Sequence, residues 1–490
     1  MSDSSALVNK LWAFCNVLRD DGVGTLDYTE QLTYLLFLKM AHERENRAIN
    51  PEKIVPKECS WQLLLDSDGE KLENTYKVIL ETLAKQTGTL GVIFRKAQNK
   101  IQDPAKLKRI IVDLIDKENW SATGVDIKGD AYEGLLAKGA EDIKSGAGQY
   151  FTPRPLIAAM VDVIQPTAKD KVHDPACGTG GFLLAAYEFA ASQKNLSPTD
   201  REHLRDDFVS GIELVDSTAR LAAMNMLLHG MGTPNGPSPI EVRDGLTADP
   251  GKRYSVVLAN PPFGTKSSVT MVGADGKLSK GELEIVRDDF WVTTSNKQLN
   301  FVQHIKTIME INGRAAVVLP DNVLFEGGAG ETVRRRLLTE FDVHTLLRLP
   351  TGIFYAGGVK ANVLFFDKRP AAEKPWTTKL WVFDFRTNQH FTQKTMSMKR
   401  GNLDEFVECY QPGNRGERKE SERFKAYTYE ELLARDKVNL DLIWLKDDSL
   451  EDASNLPAPE VIAREIMENL ESALTEFSAI VETLEAGKTE

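Results

Sequence analysis

Between Lys171 and Asp367 short apolar runs alternate with stretches long enough for a helix, and glycine turns punctuate them. The runs are Lys171–Asp174, Phe208–Leu214, Ile240–Val242, Ser255–Ala259, Arg314–Leu319, Val343–Leu349 and Asn362–Asp367, with another at Leu380–Phe385. Alternation of this kind predicts an α/β, doubly wound sheet. Ligands of such sheets gather at the carboxyl ends of the strands, so the residues just beyond each run are where chemistry is expected.

The run ending at Ala259 stops abruptly in Asn260-Pro261-Pro262-Phe263. An aromatic amine is a poor nucleophile because its lone pair is delocalised into the ring. Two acceptors, one for each N–H, draw the nitrogen toward a tetrahedral shape and localise that pair. The Asn260 side chain offers one acceptor. Pro261 and Pro262 have no N–H, so their backbone presents carbonyls and no competing donor. A residue before proline is held extended, which fixes Asn260. The Phe263 ring can stack on a planar target. The tetrapeptide therefore points to an enzyme that grips an exocyclic NH2 group and modifies its nitrogen.

A second constellation surrounds Asp174-Pro175-Ala176-Cys177-Gly178-Thr179-Gly180-Gly181, where a strand end passes through a glycine turn into the helical run Phe182–Ala190. Glycines admit a ligand closely, and a helix N-terminus offers unpaired N–H groups. The spacing is not GxGxxG and no Walker lysine follows, so nucleotide phosphates are not the indicated ligand. Glu213 closes the next strand, where an acid takes ribose hydroxyls in doubly wound folds. Asp244, after Ile240–Val242, is placed to accept from an adenine amino group. Ribose and adenine without a phosphate cradle fit S-adenosylmethionine. Upstream, Gln149-Tyr150-Phe151-Thr152-Pro153-Arg154 precedes the helical run Leu156–Ile164; Tyr150 and Phe151 are candidates to wall the cofactor, and Thr152 to cap the helix or the ligand.

At 490 residues the chain has room for two or three domains, and no apolar run is long enough to cross a bilayer. The N-terminus lacks a signal peptide's layout. The 4 cysteines are scattered without metal-ligand spacing, which suggests reduced thiols and no metal site. The net charge of −12 is unlike that of a stand-alone DNA-binding protein. The substrate is then either not nucleic acid, or held mainly by another subunit. Leu32, Leu35, Leu36, Lys39 and Met40 follow helical spacing, as do Leu7–Leu18, Leu72–Leu83 and Leu107–Asp116, so residues 1–145 read as a helical domain. Thr265–Leu299 reads as a long polar loop, long enough to fold over a substrate. Gly413–Arg423 reads as an exposed charged loop. Arg334–Arg336 read as a solvated helix start or a phosphate contact. Residues from Ala458 to Glu485 form one amphipathic stripe, suited to packing on the chain itself or on a partner helix.

With these residues together, the chain resembles the modification (M) subunit of type I restriction–modification systems, a class of N6-adenine DNA methyltransferases. The resemblance runs through GQYFTPRPL at Gly148–Leu156, DPACGTGGFL at Asp174–Leu183 and NPPF at Asn260–Phe263. It continues through GRAAVVLPDNVLFEGG at Gly313–Gly328 and RLPTGIFYAGGVKANVLFF at Arg348–Phe366. It implies a Rossmann-like S-adenosylmethionine-dependent methyltransferase domain at 146–400, with an N-terminal helical domain at 1–145. Residues 401–490 would be a C-terminal region whose helical tail contacts a subunit. Cofactor contacts are implied at Gln149–Arg154, Thr179–Gly181 and Glu213, and catalysis at Asn260–Phe263. Implied partners are a specificity (S) subunit that reads the DNA, a second copy of the chain in an M2S complex, restriction (R) subunits and double-stranded DNA; the scattered cysteines and the N-terminal layout suggest a cytoplasmic protein. The residues alone leave open an amino methyltransferase acting on RNA or a protein glutamine, and a non-catalytic scaffold that binds S-adenosylmethionine.

Overall fold

The computed structural model describes residues 25–47, 51–120, 152–263, 268–272, 278–282, 284–354, 360–392, 396–446 and 467. Helix α1 spans Thr25–Glu45, α2 Gly69–Ala84, α3 Gly88–Phe94 and α4 Arg154–Ile164. Then come β1 (Val172–Asp174), α5 (Gly181–Ala191), β2 (Val209–Glu213), α6 (Asp216–Leu228), β3 (Ile240–Val242), β4 (Tyr254–Ala259), β5 (Ser268–Val272) and β6 (Leu278–Glu282). The remainder comprises α7 (Lys297–Ile308), β7 (Met309–Pro320), α8 (Ala329–Glu340), β8 (Phe341–Arg348), β9 (Ala361–Lys368), β10 (Lys379–Asp384) and β11 (Phe424–Thr428), with short helical turns between. Two compact units interleave along the sequence. One takes the described residues within Met1–Ile143, Gln165–Ala248 and Tyr254–Ala259; the other takes those within Lys144–Ile164, Asp249–Arg253 and Asn260–Glu490.

In the first unit the strands lie in the order β4, β1, β2, β3 and are all parallel, with Val172 opposite both Val209 and Val256. Parallel strands are covered on both faces and need nearly continuous apolar sequence; Val256, Val257, Leu258 and Ala259 are fully buried accordingly. The polar exception, His173, stacks its ring on Tyr254 at 4.0 Å and sets Nδ1 2.8 Å from Ser210 Oγ. Helices α5 and α6 are the crossovers that parallel neighbours require. Helix α6 also seats the N-terminal helices. Its Arg220 meets Glu30 at 2.7 Å and the Tyr34 hydroxyl at 2.8 Å, and Arg44 of α1 donates to the Leu228 carbonyl at 2.5 Å. A cation on the last carbonyls of a helix satisfies acceptors that have no intrahelical partner and complements the helix dipole. The expected apolar spacing of α1 understates its burial, because every residue from Gln31 to Ala41 is buried. Its polar members are matched: Gln31 bonds the Gln98 carbonyl and the Lys100 N–H, and Lys39 bonds Asp116.

The second unit orders its strands β11, β10, β8, β9, β7. Strand β9 runs antiparallel to both β7 and β8, whereas β8 and β10 are parallel. The expected long loop Thr265–Leu299 is more structured than the sequence suggests. It contains the antiparallel hairpin β5–β6. Its later part is pinned by buried amides of α7: Gln303 bonds both the N–H and the carbonyl of Val292, and Asn300 bonds the Thr294 carbonyl. The charged stretch Gly413–Arg423 is not simply an exposed loop either. Arg418 is buried, donates to the Tyr410 and His344 carbonyls and lies over the Tyr410 ring, while Arg415 pairs with Asp367. Of the expected C-terminal helix only Met467 is among the described residues; it is helical and exposed. No described helix is long and apolar enough to cross a membrane.

Candidate active site

In the first unit, β1 delivers Asp174 almost fully buried, 1% exposed. Its Oδ1 accepts from the Ala176 N–H at 2.9 Å and so opens the turn that carries Cys177–Gly181. Burial pushes the Asp174 carboxyl up to about 8, with the Ala176 bond opposing and the Glu213 charge adding. The turn is tied back to β2: Cys177 N donates to the Ile212 carbonyl at 2.9 Å, and Gly178 N to Glu213 Oε2 at 3.0 Å. Gly180 adopts a left-handed conformation, φ 86°, and Gly181 then begins α5. The N–H groups of that first helical turn stand at the loop. Asn225, buried on α6, donates Nδ2 to the Thr179 carbonyl at 3.3 Å. Sequence reasoning missed Asn225, whose signal was a lone amide within the apolar run Ala222–Leu228.

The strand ends converge. Glu213 accepts from Gly178 N through one oxygen and from Val215 N, at 2.8 Å, through the other. Each carboxylate oxygen has two acceptor sites, so hydroxyl groups can still be received there. Beside it Leu214 is 65% exposed and Val215 40% exposed, an apolar surface at a strand end suited to a flat ring. Asp244 is exposed and spends Oδ1 on the Leu246 N–H at 2.9 Å. Gly245 packs so close to the loop after β1 that a Cβ there would stand 2.9 Å from the Pro175 carbonyl oxygen. A Cβ on Gly178 would meet nothing within 4 Å, so the turn is open above that residue. These residues fit S-adenosylmethionine: an acid for the ribose, exposed apolar side chains for the base, and an open glycine turn at a helix N-terminus.

In the second unit, Asn260 follows β4 directly in the chain. Its Nδ2 donates to Thr152 Oγ1 at 2.8 Å, although 108 residues separate the two. Thr152 is not the helix cap. The Pro153 carbonyl starts α4 by accepting from Leu156 N at 2.9 Å and Ile157 N at 3.0 Å, so the Thr152 hydroxyl is directed to Asn260 instead. Arg154 is the first residue of α4, while Gln149, Tyr150 and Phe151 lie outside the described residues. Pro261 is buried, and Pro262 and Phe263 are half-buried. The Phe263 ring meets Phe354 edge-on, with centroids 5.9 Å apart and planes at 69°. Phe354 is buried in the segment after β8, whose first residue is held in place: Arg386 donates to the Leu349 carbonyl at 2.9 Å and grips Asp321 through two bonds of 2.8 Å.

The arginines Arg334–Arg336 divide. Arg334 is buried and donates to the carbonyls of Val323, Glu326, Lys437 and Val438, which makes it an internal strut and neither a solvated helix start nor a phosphate contact. Arg335 and Arg336 pair along the helix surface with Glu331 and Glu340.

The chain is similar to known proteins along nearly its whole length. The family model described as N-6 DNA Methylase matches residues 123–443, and that of the HsdM N-terminal domain matches residues 7–114. The StySJI type I restriction enzyme methylase subunit of Salmonella typhimurium strain LT2 is 37% identical over 99% of this chain and 96% of its own. The solved M protein of the type I restriction enzyme EcoKI is 32% identical with a TM-score of 0.54, covering 98% of this chain and 96% of that one. A chain from a structure on complex assembly and conformational transition of the type I R-M system is 26% identical with a TM-score of 0.70, covering 99% of each.

Proposed function

The chain belongs to the N-6 DNA Methylase family, among the type I restriction enzyme methylase subunits, and from that premise we propose the reaction its residues perform. It transfers a methyl group from S-adenosylmethionine to the N6 amine of an adenine in a duplex site chosen by a separate specificity subunit. The observation that carries this reading is the Asn260–Phe263 turn: an amide, a donor-free backbone and a ring at the end of a buried strand.

The N6 atom of a stacked adenine is out of reach, so the base is flipped from the helix before reaction. Asn260 Oδ1 and the Pro261 carbonyl accept the two amine hydrogens and localise the nitrogen lone pair. Phe263 stacks on the base, with Phe354 set edge-on against its ring. S-adenosylmethionine, when bound, supplies an electrophilic methyl group. Glu213 receives its ribose, Leu214 and Val215 its base, and the Gly178–Gly181 turn its amino-acid end. The chain's contribution is orientation and polarisation, with the acceptors placed before the reaction begins. The specificity subunit, a second copy of this chain and restriction subunits complete the assembly.

Asn260→Ala is expected to abolish methyl transfer while S-adenosylmethionine affinity stays near that of the wild type. Radiolabel incorporation into duplex DNA, RNA and protein, measured with the specificity subunit present, checks both the residue and the substrate. A variant that still methylates DNA within tenfold of wild type refutes the assignment.

A further inference from the structure

We propose that Thr152 is a positioning residue for methyl transfer, its hydroxyl accepting from the Asn260 amide N–H and so anchoring the amide while its oxygen faces the target amine. The proposal rests on the reading of Asn260 as the group that grips that amine. An asparagine amide has two flipped states of nearly the same shape. Facing an NH2 group, one state offers an oxygen and the other opposes donor to donor. When Oδ1 faces the amine, Nδ2 must donate elsewhere. Thr152 Oγ1 stands there at 2.8 Å, on a residue only 8% exposed.

The two ends of this bond are fixed by the same device. Thr152 precedes Pro153, and Asn260 precedes Pro261, so both backbones are held extended by the following ring. The Pro153 carbonyl is itself locked into the first turn of α4. The hydroxyl therefore has a fixed origin, and so does the amide. A second effect reinforces the first: an amide whose N–H is donated becomes a better acceptor at its oxygen, because successive hydrogen bonds polarise one another. The hydroxyl can donate as well as accept, so the amine, which offers only hydrogens, selects the flip, and Thr152 anchors the amide in that state and sharpens its hold on the amine.

Thr152→Val keeps the shape and removes the acceptor, and Thr152→Ser restores it. The full chain is assayed with its specificity subunit on duplex DNA carrying the recognised site. Single-turnover methyl transfer is followed at saturating S-adenosylmethionine, and S-adenosylmethionine affinity is measured by calorimetry. Thr152→Val is expected to slow transfer by about tenfold or more, the scale of one hydrogen bond. S-adenosylmethionine affinity and KM for DNA should stay within about threefold of wild type, and Thr152→Ser should recover most of the rate. A Val variant within about twofold of wild type overturns the proposal, as does a Ser variant as slow as Val. A loss confined to S-adenosylmethionine affinity, with the saturated rate intact, also overturns it and makes Thr152 a cofactor contact only. Asn260→Ala run in parallel separates the two readings: if it is active, the Asn260 assignment falls as well, and if it is inactive while Thr152→Val is active, only the Thr152 proposal falls.

Discussion

Cys177 sits in the middle of the glycine turn, where a thiol invites a nucleophile's role. Its surroundings give it a different one. The side chain is buried, and a Cβ placed on Gly211 would stand 2.8 Å from its sulfur, so the thiol fills the gap that Gly211 leaves. Burial pushes the thiol well above its ordinary value, and the charges of Asp174 and Glu213 push it further. A thiol held protonated is neither a nucleophile nor a metal ligand. Cys177→Ala is therefore expected to keep methyl transfer within about threefold of wild type and to lower stability by about 1 kcal/mol, a small cavity's cost. A variant that binds S-adenosylmethionine normally yet fails to transfer would contradict this. At this scale the sequence was most legible where a residue type carries its meaning locally. The prolines after Asn260 and the glycines before α5 announce themselves. The partner of Asn260 does not, because Thr152 lies 108 residues away and its local context suggests a helix cap. Arg334 was misread for a related reason: a run of three arginines looks solvated until the fold turns one of them inward onto backbone carbonyls.

The strands show where local reading stops. An apolar run marks a buried strand but carries no direction, so the antiparallel course of β9 between β7 and β8 was not legible, nor was the hairpin β5–β6 inside an apparently polar loop. The β8–β9 pair also buries charge that the apolar runs conceal. His344 on β8 sets Nδ1 2.8 Å from Thr345 Oγ1 and Nε2 3.5 Å from Asp367 Oδ1 on β9. Burial pulls His344 down to about 4, the Asp367 hydrogen bond opposing. An unfolded histidine titrates near 6.5. Below that pH the unfolded chain takes up a proton that the folded chain refuses, so stability is full above about 6.5 and declines toward about 4. One such proton contributes at most about 1.4 kcal/mol per pH unit. Burial also raises Asp367, but His344 and Arg415 outweigh it and hold that carboxyl well below the usual carboxylate range. Its contribution is present above the ordinary carboxylate range and is lost as pH falls further, so the decline continues. Urea midpoints at pH 7.5, 6.0 and 5.0 should fall steadily for the wild type. In His344→Gln the fall between 7.5 and 5.0 should be smaller, from a lower starting midpoint. A flat wild-type profile over that interval would sink this account of the β8–β9 pair.

Over the whole molecule the sign of the charge sets the terms on which DNA is met. The chain carries −12, yet its reaction is proposed to act on a polyanion. Among the described residues, many cations already have acidic or carbonyl partners inside the fold: Arg220 with Glu30, Arg386 with Asp321, Arg334 with four carbonyls, Arg335 and Arg336 with their helix neighbours. Cations spent internally release few counterions on DNA, and counterion release supplies most of the affinity of non-specific binding. The chain alone should therefore bind duplex DNA weakly, with a Kd above about 10 μM at 0.15 M salt, and with a shallow dependence of log K on log salt. On the proposed division of labour, adding the specificity subunit should tighten binding by about a thousandfold or more and steepen the slope, because the added phosphate contacts would come from that subunit. Fluorescence anisotropy across a salt series, with the chain alone and in complex, reads both quantities. Nanomolar binding by the isolated chain with a steep slope would mean that this acidic protein carries its own DNA platform, and the division of labour between the subunits would have to be redrawn.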